Sequence, residues 1–166
     1  LIGAGTSFLL SLVLEDQSKA QAMLHLLLGG FSSKGWEHLL AALPAFVLGT
    51  LLAFRLTAKL DVLALGEDVA RTLSVDLRRL SLLSVIAIAA LIGASIGAGG
   101  ALPFVGLIVP HILRMWLGAG HKRLLTASLF GGATLVLWAD LAARTLRSPR
   151  EMEVGVLTSL VGAPLF

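Results

Sequence analysis

The sequence contains no cysteine, and only 14% of its 166 residues are charged. The absence of cysteine excludes disulfides and thiolate metal sites. A soluble domain carries about 25% charged residues, whereas 57% of this chain is hydrophobic and its mean hydropathy is +0.92. A chain of this length has too little interior to bury so much apolar surface in water. The composition therefore predicts an integral membrane protein.

Several functional classes lack their sequence signatures. No GxxxxGK[ST] motif is present, and the glycine-rich run at 118–123, GAGHKR, fails that pattern, so the chain does not bind ATP through a P-loop. No nucleophile elbow and no paired carboxylate site are visible, so the chain is not expected to be an enzyme. The net charge of +3 reflects loop lysines and arginines. Without a basic face interleaved with aromatics, nucleic acid is not an expected partner.

Apolar runs divide the chain into membrane segments. They predict an all-α polytopic transmembrane bundle with about five to six such segments and short cytoplasmic helices, forming a single domain over 1–166. The first residue is Leu and lies inside an apolar run, as does Phe166, so the chain is expected to be part of a longer membrane protein. The predicted segments are the end of a truncated span at Leu1–Leu14, a short interfacial or re-entrant helix at Ala20–Gly30, spans at Trp36–Phe54, Leu80–Leu102 and Leu124–Trp138, a short segment at Pro103–Leu117, and the start of a last span at Met152–Phe166.

Small residues cluster near the end of the Leu80–Leu102 span. Gly93 and Gly97 form a GxxxG motif, which favours close contact between helices. The run from Gly97 to Gly100 is expected to unwind the end of this helix.

The longest polar interval runs from Asp61 to Leu80. Its apolar residues Leu65, Val69, Leu73 and Leu77 are spaced four apart, which places them on one face of a helix. Glu67 and Arg71 lie i,i+4 and can pair. Such an amphipathic helix either lies on the bilayer surface or docks a partner, and an ordinary solvated loop helix is the alternative.

Charge placement predicts the orientation. The loop containing Arg71, Arg78 and Arg79 is assigned to the cytoplasm. Counting crossings from there places the His121-Lys122-Arg123 turn inside as well, and the turn at Ser148-Pro149 outside. Three arginines near that outer turn contradict the positive-inside rule and indicate either docking of an acidic partner or contact with lipid headgroups: Arg144, Arg147 and Arg150.

Two further sites carry more than one interpretation. Pro110-His111 could mark a metal or proton site, but no carboxylate or second histidine stands at ligand spacing, so metal binding is rejected and a structural hydrogen-bonding role remains. Asp140 and Arg144 lie i,i+4 near a span end and form either a local ion pair or a functional intramembrane pair.

Three motifs and one small-residue run together resemble the FecCD permeases, which are the membrane subunits of type II ABC importers for iron-siderophores, haem and vitamin B12. The resemblance covers essentially the whole chain, in order, and corresponds to the C-terminal half, from about the fifth to the tenth helix. Its residues are Leu63–Arg79 (LALGEDVARTLSVDLRR), Ala94–Gly100 (ASIGAGG), Gly100–Arg114 (GALPFVGLIVPHILR) and Ala139–Pro164 (ADLAARTLRSPREMEVGVLTSLVGAP).

The resemblance implies a homodimer of ten-helix subunits in the bacterial inner membrane, surrounded by lipid. Two separate ATPase subunits would dock on the cytoplasmic coupling loop, residues 61–79, and a periplasmic or lipid-anchored binding protein would dock outside. The implied ATPase contacts are Leu65, Gly66, Glu67, Asp68 and Arg71. The implied binding-protein contacts are Arg144 and, in addition, Arg147 and Arg150.

The same resemblance assigns the remaining segments. Leu1–Leu14 and Met152–Phe166 would line the pathway, Ala20–Gly30 would lie beside the gate, and Pro110 and His111 would have a structural or coupling role. No cofactor or metal is implied. The cargo would be an iron complex (siderophore or haem) or cobalamin, moved by alternating access while a partner chain hydrolyses ATP.

Two other functions stay open from the residues alone. One is a self-contained secondary transporter or channel that uses Asp140 and Arg144 as an intramembrane charge pair. The other is an intramembrane enzyme built on His111, for which no partner group is visible.

Overall fold

The computed structural model describes residues 27–31, 34–118, 120–145 and 153–163, and in these ranges all regular structure is helical. This confirms the all-α prediction. The predicted segment Leu1–Leu14, most of Ala20–Gly30, and both Arg147 and Arg150 lie outside the described residues. The helices are α1 (Trp36–Leu63), α2 (Glu67–Thr72), α3 (Leu77–Gly99), α4 (Val105–Leu117), α5 (His121–Thr145) and α6 (Val154–Gly162).

Three of these helices are long and apolar enough to cross a membrane: α1 with 28 residues, α3 with 23 and α5 with 25. A helix rises 1.5 Å per residue, so each exceeds the roughly 30 Å of a hydrocarbon core. Only 11%, 17% and 6% of their most apolar windows, respectively, are buried in this chain. Most of their apolar surface therefore faces outward, as expected of helices whose solvent is lipid.

The first span is longer than the sequence predicts. We expect it to end at Phe54, because Arg55 and Lys59 follow, but α1 continues to Leu63. Arginine and lysine are good helix formers and can extend their charged ends toward water. No glycine or proline interrupts the chain between Phe54 and Gly66, so nothing stops the helix earlier.

The prediction that Leu65, Val69, Leu73 and Leu77 share one face of a short amphipathic helix is wrong. The interval contains the end of α1, the six-residue α2 and the start of α3. Gly66 takes φ 119° and Ser74 takes φ 58°, and both values break a helix. Asp76 then caps α3 by accepting a hydrogen bond from the backbone N–H of Arg79 at 3.0 Å. Of the four leucine and valine residues spaced four apart, only Val69 lies within α2.

Helix α3 ends at Gly99, and Gly100 follows with φ 74°, close to the predicted unwinding. The predicted close contact at Gly93 and Gly97 is not found among the described residues, since a Cβ added at either meets nothing within 4 Å. Instead α1 packs against α3 at Gly49, where an added Cβ would lie 3.0 Å from Cγ of Leu91. GxxxG spacing alone does not identify which face meets a neighbour.

Helices α4 and α5 form a packed pair. The 13 residues of α4 extend only about 20 Å, too short to cross the core alone. At Gly131 of α5, an added Cβ would lie 3.1 Å from Cγ1 of Val109 and 3.3 Å from Cδ1 of Leu113 on α4, so the glycine permits the close approach. His121-Lys122-Arg123, which we expect to form a turn, instead begins α5.

Long-range contacts define two ends of this bundle. At the loop end, which comprises the end of α1, α2 and the start of α5, His121 bonds to Asp61. At the opposite end, the backbone N–H of Gly30 donates to the carbonyl of Gly99 at 2.8 Å, and Gly155 lies against the carbonyl of Leu28. Successive helices therefore alternate in direction, in agreement with the predicted order of crossings.

Candidate docking loop and helix junction

Residues 64–76, the central part of the predicted coupling loop 61–79, are compact; as the candidate partner contact, they are called the docking loop below. Ala70 of α2 is fully buried, and its carbonyl accepts a hydrogen bond from the N–H of Val75 at 2.9 Å. This bond, together with the left-handed Ser74, folds the chain back onto α2 before α3 begins. The loop therefore holds its short helix in a defined position between two spans.

Apolar side chains of this loop point outward. Leu65 is 70% exposed, Leu73 is 59% exposed and Val69 is 41% exposed. This surface belongs to the loop that connects α1 to α3 and not to a membrane-spanning helix. Removing it from water would be favourable by about 25 cal/mol per Å², so the loop is suited to bind a partner.

The charged residues of the loop are also accessible. Arg71 Nη2 lies 3.6 Å from Glu67 Oε2, and the two side chains are 68% and 70% exposed. A pair this exposed contributes little to stability. All five residues that the sequence predicts as ATPase contacts are exposed in the structure: Leu65, Gly66, Glu67, Asp68 and Arg71.

A polar junction connects α1 to α5 at the same end. Asp61, in the last turn of α1, accepts a hydrogen bond on Oδ1 from the backbone N–H of His121 at 2.9 Å. The same oxygen lies 2.6 Å from Nδ1 of His121. The carboxylate thereby satisfies one of the N–H groups that have no partner within the first turn of a helix.

Sequence reasoning did not pair these two residues. Lys122 and Arg123 put positive charge at the start of α5, where the helix dipole favours negative charge. The residue before His121 is Gly120, which offers no capping side chain. Together these features signal a need for an acidic cap from elsewhere, but the pattern does not reveal that the cap is Asp61.

The Pro110-His111 pair lies inside α4. His111 is exposed and has an interaction partner, while Pro110 lines a cavity. The placement is compatible with a structural role.

That cavity, of about 470 Å³, lies between α1, α3, α4 and α5. Its lining is largely apolar, and the Oγ atoms of Ser84 and Ser128 are buried there with no hydrogen-bond partner among the described residues. His121 is the one ionisable residue among those that line it.

Asp140 and Arg144 form an ion pair within the last turns of α5. The guanidinium contacts the carboxylate through Nε to Oδ2 at 2.8 Å and Nη2 to Oδ1 at 3.3 Å. The side chain of Arg144 is 46% exposed and that of Asp140 is 22% exposed. These contacts confirm that the two side chains pair locally. The pair lies at the opposite end of the bundle from the docking loop.

Comparison with known proteins finds relatives along the whole chain. The model of the FecCD transport family matches residues 1–166. The chain is 41% identical, over 170 aligned positions, to the hemin transport system permease protein HmuU of Yersinia pestis, covering 100% of this chain and 49% of that protein. It is 38% identical to the vitamin B12 import system permease protein BtuC of Vibrio vulnificus, covering 92% of this chain and 46% of that protein.

A solved structure agrees with the sequence relatives. An inward-facing metal-chelate type ABC transporter superposes with a TM-score of 0.81 at 36% identity, covering 89% of this chain and 48% of that chain. The chain thus spans about half the length of the relatives it matches. The apolar helices and these relatives together indicate a multi-pass protein of the bacterial inner membrane. A match across all 166 residues, with the helical arrangement of a solved transporter, means that the chain belongs to the FecCD transport family.

Proposed function

We propose that the chain is part of the permease subunit of an ABC importer, which moves an iron complex (siderophore or haem) or cobalamin across the inner membrane. ATP hydrolysis would take place on separate ATPase subunits, so the permease is a transport subunit and not an enzyme. The observation that carries the proposal is the family match over residues 1–166, with relatives named for hemin, vitamin B12 and iron(III) dicitrate. The secondary transporter and the His111 enzyme find no support among these relatives.

The docking loop is proposed as the ATPase contact. Its support is the exposed apolar surface of Leu65, Val69 and Leu73 beside the accessible charges of Glu67 and Arg71. A short helix that presents apolar and charged groups fits a groove on a partner protein, because the apolar groups give affinity and the charges orient the complex. The residues proposed to make this contact are Leu65, Gly66, Glu67, Asp68 and Arg71.

The outer contact is proposed to be made by Arg144, with Arg147 and Arg150 as additions. An acidic surface of a periplasmic or lipid-anchored binding protein would share the Arg144 guanidinium with Asp140. The guanidinium is 46% exposed, and its planar fork of N–H donors is suited to bind carboxylates. Charge complementarity of this kind speeds association and fixes orientation.

Transport is proposed to follow alternating access in a homodimer. Closure of the ATPase dimer would move the two docking loops, and the packed helices would carry that movement to the pathway. Met152–Phe166, which contains α6, is proposed to line the pathway, while Pro110 and His111 support the inner end. Recognition of the cargo belongs to the binding protein, which is consistent with the largely apolar cavity of this chain.

Association with the ATPase tests this function directly. The complete permease, in lipid nanodiscs with its genomic-neighbour ATPase, should form a stable complex whose hydrolysis rises when substrate-loaded binding protein is added. A permease that binds no ATPase, and whose presence leaves hydrolysis unchanged, would contradict the proposal.

A further inference from the structure

The Asp61–His121 junction connects two segments that are 60 residues apart in sequence. We propose that this junction passes movement of the docking loop into α5, so that Asp61 and His121 are positioning residues for transport. The inference rests on the proposed ATPase contact at the docking loop, and it identifies where that contact is linked to the rest of the bundle.

Asp61 lies close to the docking loop and contacts another helix. It lies in the last turn of α1, and the loop begins three residues later at Ala64. Helix α1 also packs against α2. A displacement of α2 therefore reaches Asp61 through the backbone and through side-chain packing.

The contact itself is short and made by one oxygen. Oδ1 of Asp61 meets both the backbone N–H and Nδ1 of His121, at 2.9 and 2.6 Å. Hydrogen bonds to a charged acceptor are shorter and about twice as strong as neutral ones. Because the backbone N–H belongs to the first turn of α5, the carboxylate holds the helix itself and not only a side chain.

A cavity beside the junction limits the apolar packing between α1 and α5. The cavity separates α1 from α5 just behind it, and its walls include Leu56 and Leu60 of α1 and Leu124 and Leu125 of α5. The two helices also contact each other directly. The junction therefore adds a polar contact to apolar packing that the cavity leaves incomplete.

Movement of α5 can be passed on to the helices that pack against it. Helix α5 packs against α6, and both α5 and α6 contact α4. Gly131 allows α4 to approach α5 closely, so the two helices are expected to move as one unit. The resulting order is docking loop, α1, junction, α5, and then α6, which is proposed to line the pathway.

The experiment uses the complete permease in proteoliposomes with its ATPase and binding protein. The variants are Asp61→Ala, Asp61→Asn, His121→Ala and the double variant Asp61→Ala/His121→Ala. Affinity for the ATPase, cargo transported per ATP and thermal stability are measured for each. Glu37→Gln, an exposed carboxylate in the first turn of the same helix, is the matched control.

The proposal predicts that Asp61→Ala lowers cargo transported per ATP by at least about five-fold, a typical coupling between sites, while affinity for the ATPase is unchanged. Asp61→Asn keeps an acceptor oxygen and His121→Ala keeps the backbone N–H, so each loses less. The double variant should be no worse than Asp61→Ala, because both changes break one contact. Glu37→Gln should match the wild type.

Three results would overturn the proposal. Asp61→Ala could transport as much cargo per ATP as the wild type, or its loss of transport could be explained entirely by a smaller fraction of folded protein. The third result is a double variant whose loss of cargo per ATP equals the sum of the losses, as free energies, in the two single variants. If Asp61→Ala does not fold, wild-type coupling in both Asp61→Asn and His121→Ala overturns it equally. Failure of the proposed function looks different, since the wild-type permease would then not bind the ATPase at all.

Discussion

Replacing Leu65 and Leu73 with serine should weaken binding of the ATPase by a calculable amount. Full burial of a leucine side chain stabilises by about 1.5–3 kcal/mol. The two side chains are 70% and 59% exposed, which is the fraction that a partner can still remove from water. The double variant should therefore lose about 2–4 kcal/mol of binding free energy, or about 30-fold or more in Kd.

Stability of the permease should change little in the same variant, because most of the surface of both side chains is already outside the fold. Affinity is measured by titrating labelled ATPase onto the complete permease in nanodiscs. The control is Met115→Ser, which removes a 75% exposed apolar side chain of α4 outside the docking loop. A Kd for the double variant within about two-fold of the wild type would refute the assignment of the docking surface.

Three further predictions concern single substitutions. Gly155→Ala should destabilise the protein by about 1–3 kcal/mol, because its Cβ would overlap the carbonyl of Leu28 and lie 3.0 Å from that of Ala101. An alanine at Gly93 of α3 has open space and favours the helix, so Gly93→Ala should have a melting temperature no lower than the wild type. Equal melting temperatures for the two variants would disprove the close contact at Gly155. Glu67→Arg should uncouple ATP hydrolysis from transport while the protein still folds, because the exposed Glu67–Arg71 pair contributes at most about 1 kcal/mol to stability. Unchanged coupling, measured as cargo transported per ATP, would show that Glu67 is not part of the docking contact. Arg144→Glu should weaken affinity for the binding protein, most strongly at low salt where charges are least screened. Arg144→Lys is the charge-preserving control. Unaltered affinity in Arg144→Glu would mean that Arg144 interacts with Asp140 or lipid instead of the binding protein.

Hydropathy located the spans but not their ends. The uncharged run at 39–54 identifies α1, yet Arg55 and Lys59 are compatible with a helix and so did not end it. The breaks that decide the boundaries are local: Gly66 with its positive φ, and Asp76 as the cap of α3. Both residue types are recognisable start and stop signals, so this part of the error was avoidable from the sequence.

A local hydrogen bond and the packing between helices explain the other two errors. The spacing of Leu65, Val69 and Leu73 suggested one continuous helix, but the bond from Val75 to the carbonyl of Ala70 turns the chain back after Thr72. GxxxG spacing at Gly93 and Gly97 is a property of one helix, whereas the packed glycines, Gly49 and Gly131, depend on which helix lies opposite.

The Asp61–His121 junction, likewise, could not be predicted from the pattern of a single helix. The basic first turn of α5 indicates that a cap is missing, but only the fold brings Asp61 to it across 60 residues. The candidate residues of the docking loop, in contrast, form a contiguous motif of the family, so the sequence alone could propose them.

Uptake by proteoliposomes tests the central claim most directly. The complete permease would be reconstituted with its ATPase, with ATP trapped on the ATPase side and binding protein loaded with a ferric chelate, hemin or cobalamin on the other. We expect accumulation of one of these cargoes that requires ATP and binding protein and is insensitive to dissipation of a proton gradient. Uptake driven by a proton gradient without ATP would contradict the importer assignment and would favour a secondary transporter built on Asp140 and Arg144.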